Sequence, residues 1–369
     1  MKDKKFIPAL TGLRAICAYG IFFYHVNIFS GANNPELYRF IDQFYSFIPF
    51  FFVISGFVIF YTYYKYEGYK KNELYNYFIS RLARIFPLLI ILNVIIFFLL
   101  YRESSYTSLG AIKGFLLNIT LLKGFSSTYL LTGVGPSWTN SVEEIFYLLA
   151  PLIFLLIRKR FFLIKFVLFF YACGFGITFL LIRFPFEGFF SSYAFTTYFT
   201  FFGRVFEFAC GIYLAQLYMG IRKNKYLEKA GKTILLASML LIALCFLSQY
   251  FIARQYHVEH ANETWPGILI NNIAFPFSIF LLLYSLLYQK TIVQKFLSSS
   301  IMVKLGNATY SFYLLHTTFV LFYIHKFISH NLFITFIAMI IFSYIVYKTI
   351  EQPLARVIRK KFSRSPSGS

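Results

Sequence analysis

The stretch GILINNIAFPFSIFLLLYSLLY, residues 267–288, holds no Asp, Glu, Lys, Arg or His in 22 positions. As a helix it would measure about 33 Å, enough to cross the hydrocarbon core of a bilayer. Reading outward from it, further apolar stretches of spanning length fall at about 9–30, 44–64, 86–101, 137–157, 161–182, 201–219, 233–252, 307–325 and 332–354. The whole chain follows suit, with 59% hydrophobic and only 13% charged residues, about half the charge of an ordinary soluble domain. A soluble core has no place for that much apolar surface. The 51 Phe and 30 Tyr suit lipid-facing helices whose ends carry amphipathic rings at the headgroup level. The expected fold is all-α: a polytopic transmembrane helix bundle of about ten transmembrane helices.

The net charge of +21 raises the question of nucleic acid, and the placement of the charges answers it. Lys and Arg fall in short clusters between apolar stretches, as topology-setting charges do, so no nucleic-acid partner is expected. With the amino terminus inside, the cytoplasmic segments hold 24 basic residues: Lys2, Lys4, Lys5; Lys65, Lys70, Lys71, Arg81, Arg84; Arg158, Lys159, Arg160; Arg222, Lys223, Lys225, Lys229, Lys232; Lys290, Lys295, Lys304; Arg356, Arg359, Lys360, Lys361, Arg364. The outside segments hold seven, Arg39, Arg102, Lys113, Lys123, Arg183, Arg254 and Lys326. Both termini are therefore expected on the cytoplasmic side. The first apolar stretch contains Arg14 and His25 and is long enough to span, so it reads as a first helix and not as a cleaved signal. Residues 106–135 contain an apolar part too short to span and read as an outside or re-entrant segment. The expected organisation is a transmembrane domain over 1–355 and a basic, disordered cytoplasmic tail over 356–369. Cys17, Cys173, Cys210 and Cys245 sit singly in apolar stretches, without metal-ligand spacing, and no metal is expected.

Ionisable groups inside spanning segments are costly and mark candidate sites. Arg14 and His25 lie eleven residues apart, which returns to nearly the same helix face about 16 Å along the axis. Glu143 is placed at a depth similar to that of His25, where a carboxylate could orient the imidazole as a general base; an interhelical hydrogen bond is the plainer reading of His25. Ser141 and Glu144 have capping-box spacing after Gly135 and Pro136, which would start a helix there. Arg204 and Glu207, at i and i+3, read as an intramembrane ion pair, and His316 reads as structural. Arg81 and Arg84 would share one face of a short helix ending before Pro87, a pairing of guanidinium forks suited to phosphate; a plain topology-setting cluster is the alternative.

These residues and their neighbours resemble the acyltransferase-3 family of bacterial membrane acyltransferases. The segments that carry the likeness are ALTGLRAICAYGIFFYH (9–25), FFVISGFVI (51–59), SRLARIFP (80–87), SWTNSVEEIFYLLAP (137–151), GNATYSFYLLH (306–316) and IEQP (350–353). The family's Arg, ten residues, then His matches Arg14 and His25; its Arg-x-x-Arg matches Arg81 and Arg84; its Trp with a downstream acidic residue matches Trp138 and Glu143. Asn140 and Ile145 depart from the pattern in the fourth segment. The resemblance implies a catalytic His25 assisted by Glu143, with Arg14, Arg81 and Arg84 holding an acyl-coenzyme A donor. Trp138 and Ser141 are the implied acceptor-side residues.

The resemblance further implies acetyl-CoA as donor, membrane lipid as surroundings, and a hydroxyl of an extracytoplasmic carbohydrate as acceptor (O-antigen, capsule, exopolysaccharide or similar), with the enzyme multi-pass in the bacterial inner membrane. Some members carry an additional hydrolase-like domain beyond the last helix; none is read here, so a second acyl-handling step would fall to a separate protein. The competing reading is a proton-coupled transporter or flippase of a glycan or lipid-linked intermediate, with His25 and Glu143 as a proton relay.

Overall fold

The computed structural model describes residues 6–27, 34–65, 68–102, 108–159, 161–184, 186–223, 227 and 233–364. Lys2, Lys4, Lys5, Arg160, Lys225, Lys229 and Lys232 of the inside charges lie outside the described residues, as do 28–30 of the first expected span and 365–369 of the tail.

Among the described residues the regular structure is helical, without a strand. In chain order the α-helices are α1 (Pro8–His25), α2 (Pro35–Asp42), α3 (Ile48–Tyr63), α4 (Lys71–Arg102), α5 (Ser108–Ile119), α6 (Trp138–Leu156), α7 (Phe162–Leu181), α8 (Tyr193–Phe199) and α9 (Phe201–Tyr218). They continue as α10 (Thr233–Gln255), α11 (Trp265–Leu269), α12 (Phe275–Tyr288), α13 (Ile292–Leu297), α14 (Ser300–Asn307), α15 (Thr309–Leu315), α16 (Phe319–Phe327), α17 (Leu332–Val346) and α18 (Gln352–Phe362).

Seven helical stretches among the described residues are long and apolar enough to cross a membrane: Pro35–Tyr63, Lys71–Leu99, Gly135–Leu156, Phe162–Leu181, Thr233–Gln255, Trp265–Tyr288 and Leu332–Phe362. Seven of the ten expected spans coincide with these. The remaining three, at 9–30, 201–219 and 307–325, are not among those seven. Helices α1 and α9 each have 18 residues, about 27 Å of rise. The third is broken. His316 ends α15, its Nδ1 donating to Tyr313 O (2.8 Å), and Thr318 Oγ1 donates to Leu315 O before capping α16 through Val320 N. The i→i−4 ladder reaches His316 N, which bonds to Phe312 O, but Thr318 N turns back to Leu315 O beside those side-chain bonds, so the run is two helices and not one.

Three local expectations are corrected. Helix α4 runs through Pro87 for 32 residues instead of stopping before it. A proline inside a membrane helix is tolerated where neighbours occupy the loosened backbone, and here the Tyr310 hydroxyl donates to Ile85 O at 2.6 Å. Ser141 and Glu144 form no capping box, because α6 already begins at Trp138 after a 3-10 turn at Gly135–Ser137. Residues 356–362, expected in the disordered tail, belong to α18, which continues α17 through a π-helical turn at Tyr347–Glu351.

Over residues 108–135 no described helix is long enough to span. Helix α5 has 12 residues, and the loop that follows is fastened by Lys123, whose fully buried Nζ donates to Thr132 O, Val134 O and Gly135 O at 2.8, 2.7 and 3.4 Å. Three carbonyls around an ammonium satisfy all its donors, which fixes the entry to α6.

Helix α9 is the axle of the bundle. Its Gly211 and the Gly56 of α3 let the two backbones meet: a Cβ on Gly56 would lie 2.4 Å from Phe208 O, and one on Gly211 would lie 2.1 Å from Val53 O. Small residues at such crossings supply the close packing that drives helix association in lipid. The expected ion pair on α9 is present and fully buried, Arg204 Nη1 to Glu207 Oε1 at 2.9 Å. Arg204 also donates to Tyr198 O at 2.6 Å and to Asn272 Oδ1 at 3.2 Å. Asn272 comes from a π-helical turn, Ile270–Ala274, inside the charge-free stretch 267–288. The four cysteines are all unbridged.

Candidate active site

Helix α1 has a guanidinium near one end and an imidazole at the other. Arg14 and His25 both face α15, as the eleven-residue spacing requires. His25 is the last residue of α1 and keeps an exposed edge. Its Nδ1 lies 3.0 Å from Ile21 O and 3.1 Å from Nε2 of the fully buried His316. These partners determine the tautomers. His316 Nδ1 faces the Tyr313 carbonyl and must carry its proton, so His316 Nε2 is an acceptor. The proton between the rings therefore sits on His25 Nδ1, and His25 Nε2 is left with a free lone pair. This is the geometry of a general base whose other nitrogen is anchored.

At the Arg14 end a cavity of about 540 Å³ opens between α1, α3, α4 and α18. Arg14, Arg84, Arg356 and Arg359 line it. None of these four guanidinium groups has a side-chain hydrogen bond or ion pair with protein among the described residues, leaving their forks to a ligand. Arg81, expected as a donor-binding partner of Arg84, is elsewhere: it donates to the Tyr63 hydroxyl at 2.8 Å and lies 5.0 and 5.6 Å from the ring centres of Tyr63 and Tyr147. An unbroken helix still puts residues 81 and 84 on one side, but three residues of rotation separate a packed position from a cavity-facing one. Glu351 borders the same cavity and accepts from Ser311 Oγ at 2.6 Å.

Between the two ends lies a second, smaller cavity of about 40 Å³, lined by Arg14, Thr139, Asn140, Glu143, Tyr310 and Tyr313 among others. It shares Arg14 with the larger one and reaches Tyr313, whose carbonyl anchors His316. The Tyr313 hydroxyl donates to Pro136 O (3.3 Å) and lies 3.2 Å from Thr139 Oγ1, closing the wall next to the histidines. Glu143 accepts from the Tyr147 hydroxyl at 3.0 Å and feels the charges of Arg14 and Arg84. It makes no hydrogen bond to His25; the ring that His25 meets belongs to His316. Trp138 is buried against Tyr198 and Phe199, with ring centres 5.7 and 4.9 Å away. Ser141 Oγ is buried without a partner among the described residues.

With this geometry in place, the family comparison is decisive: the acyltransferase-3 profile, described as "Acyltransferase domain", matches residues 7–348. The chain belongs to the acyltransferase-3 family. Among its relatives, "Putative O-acetyltransferase SACOL0978" of Staphylococcus aureus (strain COL) is 24% identical over 390 residues, covering 99% of this chain and 60% of that protein. "Acyltransferase MdmB" of Streptomyces mycarofaciens is 28% identical over 169 residues, 42% of this chain and 40% of the relative. "O-acetyltransferase OatA" of Staphylococcus aureus (strain NCTC 8325 / PS 47) is 27% identical over 175 residues, 44% of this chain and 27% of the relative. The chain thus spans about 60% of the length of the first of these relatives. No solved structure matches it.

For an acyltransferase-3 chain, three of the residues gathered here were missed as functional candidates. His316 reads as structural, although an imidazole in an apolar stretch is the same signal that picks out His25. Arg356 and Arg359 repeat the i, i+3 spacing of Arg81 and Arg84, but their position in a basic tail hid it. Asp42, Glu259 and His260 form a further cluster beside α1, with one ligand-type atom of each within 4.8 Å of the others. Asp42 and His260 already form an ion pair at 2.9 Å.

Proposed function

We propose that this acyltransferase-3 chain is an O-acetyltransferase of the bacterial cytoplasmic membrane, moving acetyl from cytoplasmic acetyl-CoA to a hydroxyl of an extracytoplasmic carbohydrate. The observation that carries the proposal is the division of α1: Arg14 lines a guanidinium-rich cavity, and about 16 Å along the same helix His25 presents an anchored imidazole with an open nitrogen. The O-acetyltransferase names of the relatives support acetyl as the group transferred. In this reading α1, α9 and the broken pair α15–α16 join the seven apolar stretches to give ten crossings, with both termini cytoplasmic as the basic clusters require.

Arg14, Arg84, Arg356 and Arg359 bind the phosphates of the donor, each through charge-assisted bonds. The arm of the coenzyme extends past Arg14 and Tyr313 toward the histidines. His25 Nε2 takes the proton of the acceptor hydroxyl as its oxygen attacks the thioester carbonyl. The C–O bond forms, the C–S bond breaks, and the thiolate leaves with the proton held by His25. His316 orients His25, the part expected of Glu143; Glu143 instead lines the donor's route beside Arg14. Arg81 supports the site by packing on Tyr63 and Tyr147. Trp138 and Ser141, on the first turn of α6, are assigned to the acceptor side, where the Ser141 hydroxyl has bonding capacity to spare.

Acetyl transfer by purified protein carrying His25→Ala tests this. General-base removal should cost about 10²- to 10⁴-fold in turnover with the thermal transition unchanged. Full turnover in that variant would remove His25 from the mechanism, and a wild-type protein that never consumes the thioester would favour a transporter.

A further inference from the structure

The base identified above abstracts a proton, but acyl transfer also places negative charge on the thioester oxygen, and preformed donors aimed at that charge supply much of the rate in such reactions. The residue next to His25 meets this need. Tyr24 and His25 have ring centres 4.7 Å apart at the open end of α1. The Tyr24 hydroxyl lies 2.8 Å from His260 Nε2, and His260 Nδ1 lies 2.9 Å from Asp42 Oδ2. Asp42 is buried.

This line is held from several sides. Gln43 donates to Glu259 O and accepts from Ala261 N, and Asn262 N donates to the Tyr45 hydroxyl, so the 259–262 loop is stitched to the end of α2. Tyr45 stacks on the His260 ring with centres 5.3 Å apart. Nothing in the reading of the reaction uses these residues, yet they converge on the neighbour of its base.

We propose that Tyr24 donates its hydroxyl hydrogen to the oxyanion formed at the thioester carbonyl, with His260 and Asp42 as positioning residues behind it. The proposal rests on the acetyl-transfer reading above. With the Asp42 carboxylate paired at Nδ1 of a cationic His260, its Nε2–H points at the Tyr24 oxygen. The phenol's own hydrogen then has no protein acceptor among the described residues and is free for a ligand. As the acceptor oxygen bonds to the carbonyl carbon, the carbonyl electron pair moves to oxygen and is met by this O–H. Collapse returns the pair to the carbonyl and expels the sulfur, and Tyr24 keeps its proton throughout.

The charge state fits. Burial opposes a cation at His260 most strongly of any single cause, but Asp42 and Glu259 together outweigh it and hold the imidazole above its ordinary value. The imidazole of His25 is the neighbouring titratable ring, Glu263 bonds the His260 backbone N–H, and Tyr24, Tyr45 and Tyr38 are the phenols around the cluster. Above the pKa of His260 its Nε2 becomes an acceptor and turns the Tyr24 hydrogen back toward itself. The contribution of Tyr24 is therefore present below the raised pKa of His260 and lost as pH rises through that value.

Steady-state transfer by full-length protein, with KM measured for donor and acceptor separately, tests the proposal in Tyr24→Phe, Asp42→Asn and His25→Ala. Tyr24→Phe, which keeps the ring, should lower kcat about 10²- to 10³-fold while both KM values stay within about threefold. Asp42→Asn should lower kcat and move the alkaline fall of the rate to lower pH. Wild-type kcat in Tyr24→Phe, with His25→Ala inactive, overturns the oxyanion role and leaves the base assignment standing. Wild-type kcat in both variants defeats the underlying reading instead. A rise confined to acceptor KM would make Tyr24 an acceptor contact, and a wild-type rate abolished by chelator would make Asp42, Glu259 and His260 metal ligands; either result refutes the proposal.

Discussion

The two arginines of SRLARIFP look equivalent in the sequence and are not equivalent in the fold, so together they test the proposed phosphate site. Arg84 lines the large cavity with Arg14, Arg356 and Arg359, and its guanidinium is unengaged by protein side chains. Arg81 is bonded to the Tyr63 hydroxyl and packed over two rings. A charge-assisted hydrogen bond is worth about 1.5–3 kcal/mol, so Arg84→Gln should raise the donor KM about 10- to 150-fold at 1.4 kcal/mol per decade. Acceptor KM should stay unchanged. Arg81→Gln removes a cation–π contact worth about 1–2 kcal/mol at a desolvated site, which should lower the thermal midpoint while donor KM moves by less than about threefold. The decisive control is acetyl-pantetheine, a donor without the nucleotide phosphates. Wild type and Arg84→Gln should use it equally well. Equal losses with both donors, or a larger donor effect from Arg81→Gln than from Arg84→Gln, would refute the assignment of the cavity to phosphate.

Further outcomes follow from other parts of the bundle. His316→Phe removes the imidazole that meets His25 Nδ1 while Ile21 O remains; kcat should fall about tenfold, the worth of roughly one hydrogen bond, well short of the loss from His25→Ala, as turnover assays would show. Arg204→Met should destabilise the protein by about 3–5 kcal/mol, because it strands Glu207 as an unpaired buried charge, and adding Glu207→Leu should restore most of that loss in detergent unfolding. Gly56→Ala places a methyl group 2.4 Å from Phe208 O and should cost about 1–3 kcal/mol through forced separation of α3 and α9, read as a lower thermal midpoint.

The helical, membrane-embedded character of the chain follows from its sequence alone, because apolar length is a local property and backbone groups in lipid must bond within their own segment. The shared face of Arg14 and His25 is local too, set by helical periodicity. What depends on distant chain is different in kind. His25 finds His316 across 291 positions, and no periodicity gives the relative depth and rotation of two helices that far apart. The break after His316 comes from side-chain bonds to the backbone that compete with an otherwise continuous apolar pattern. The same limit explains the arginines: spacing puts Arg81 and Arg84 on one side of α4, but only the neighbours packed there decide that one meets Tyr63 and the other meets open space. Arg356 and Arg359 join that space because α18 continues α17 back against α4. The helices were written in the sequence; which polar groups meet between them was decided by packing.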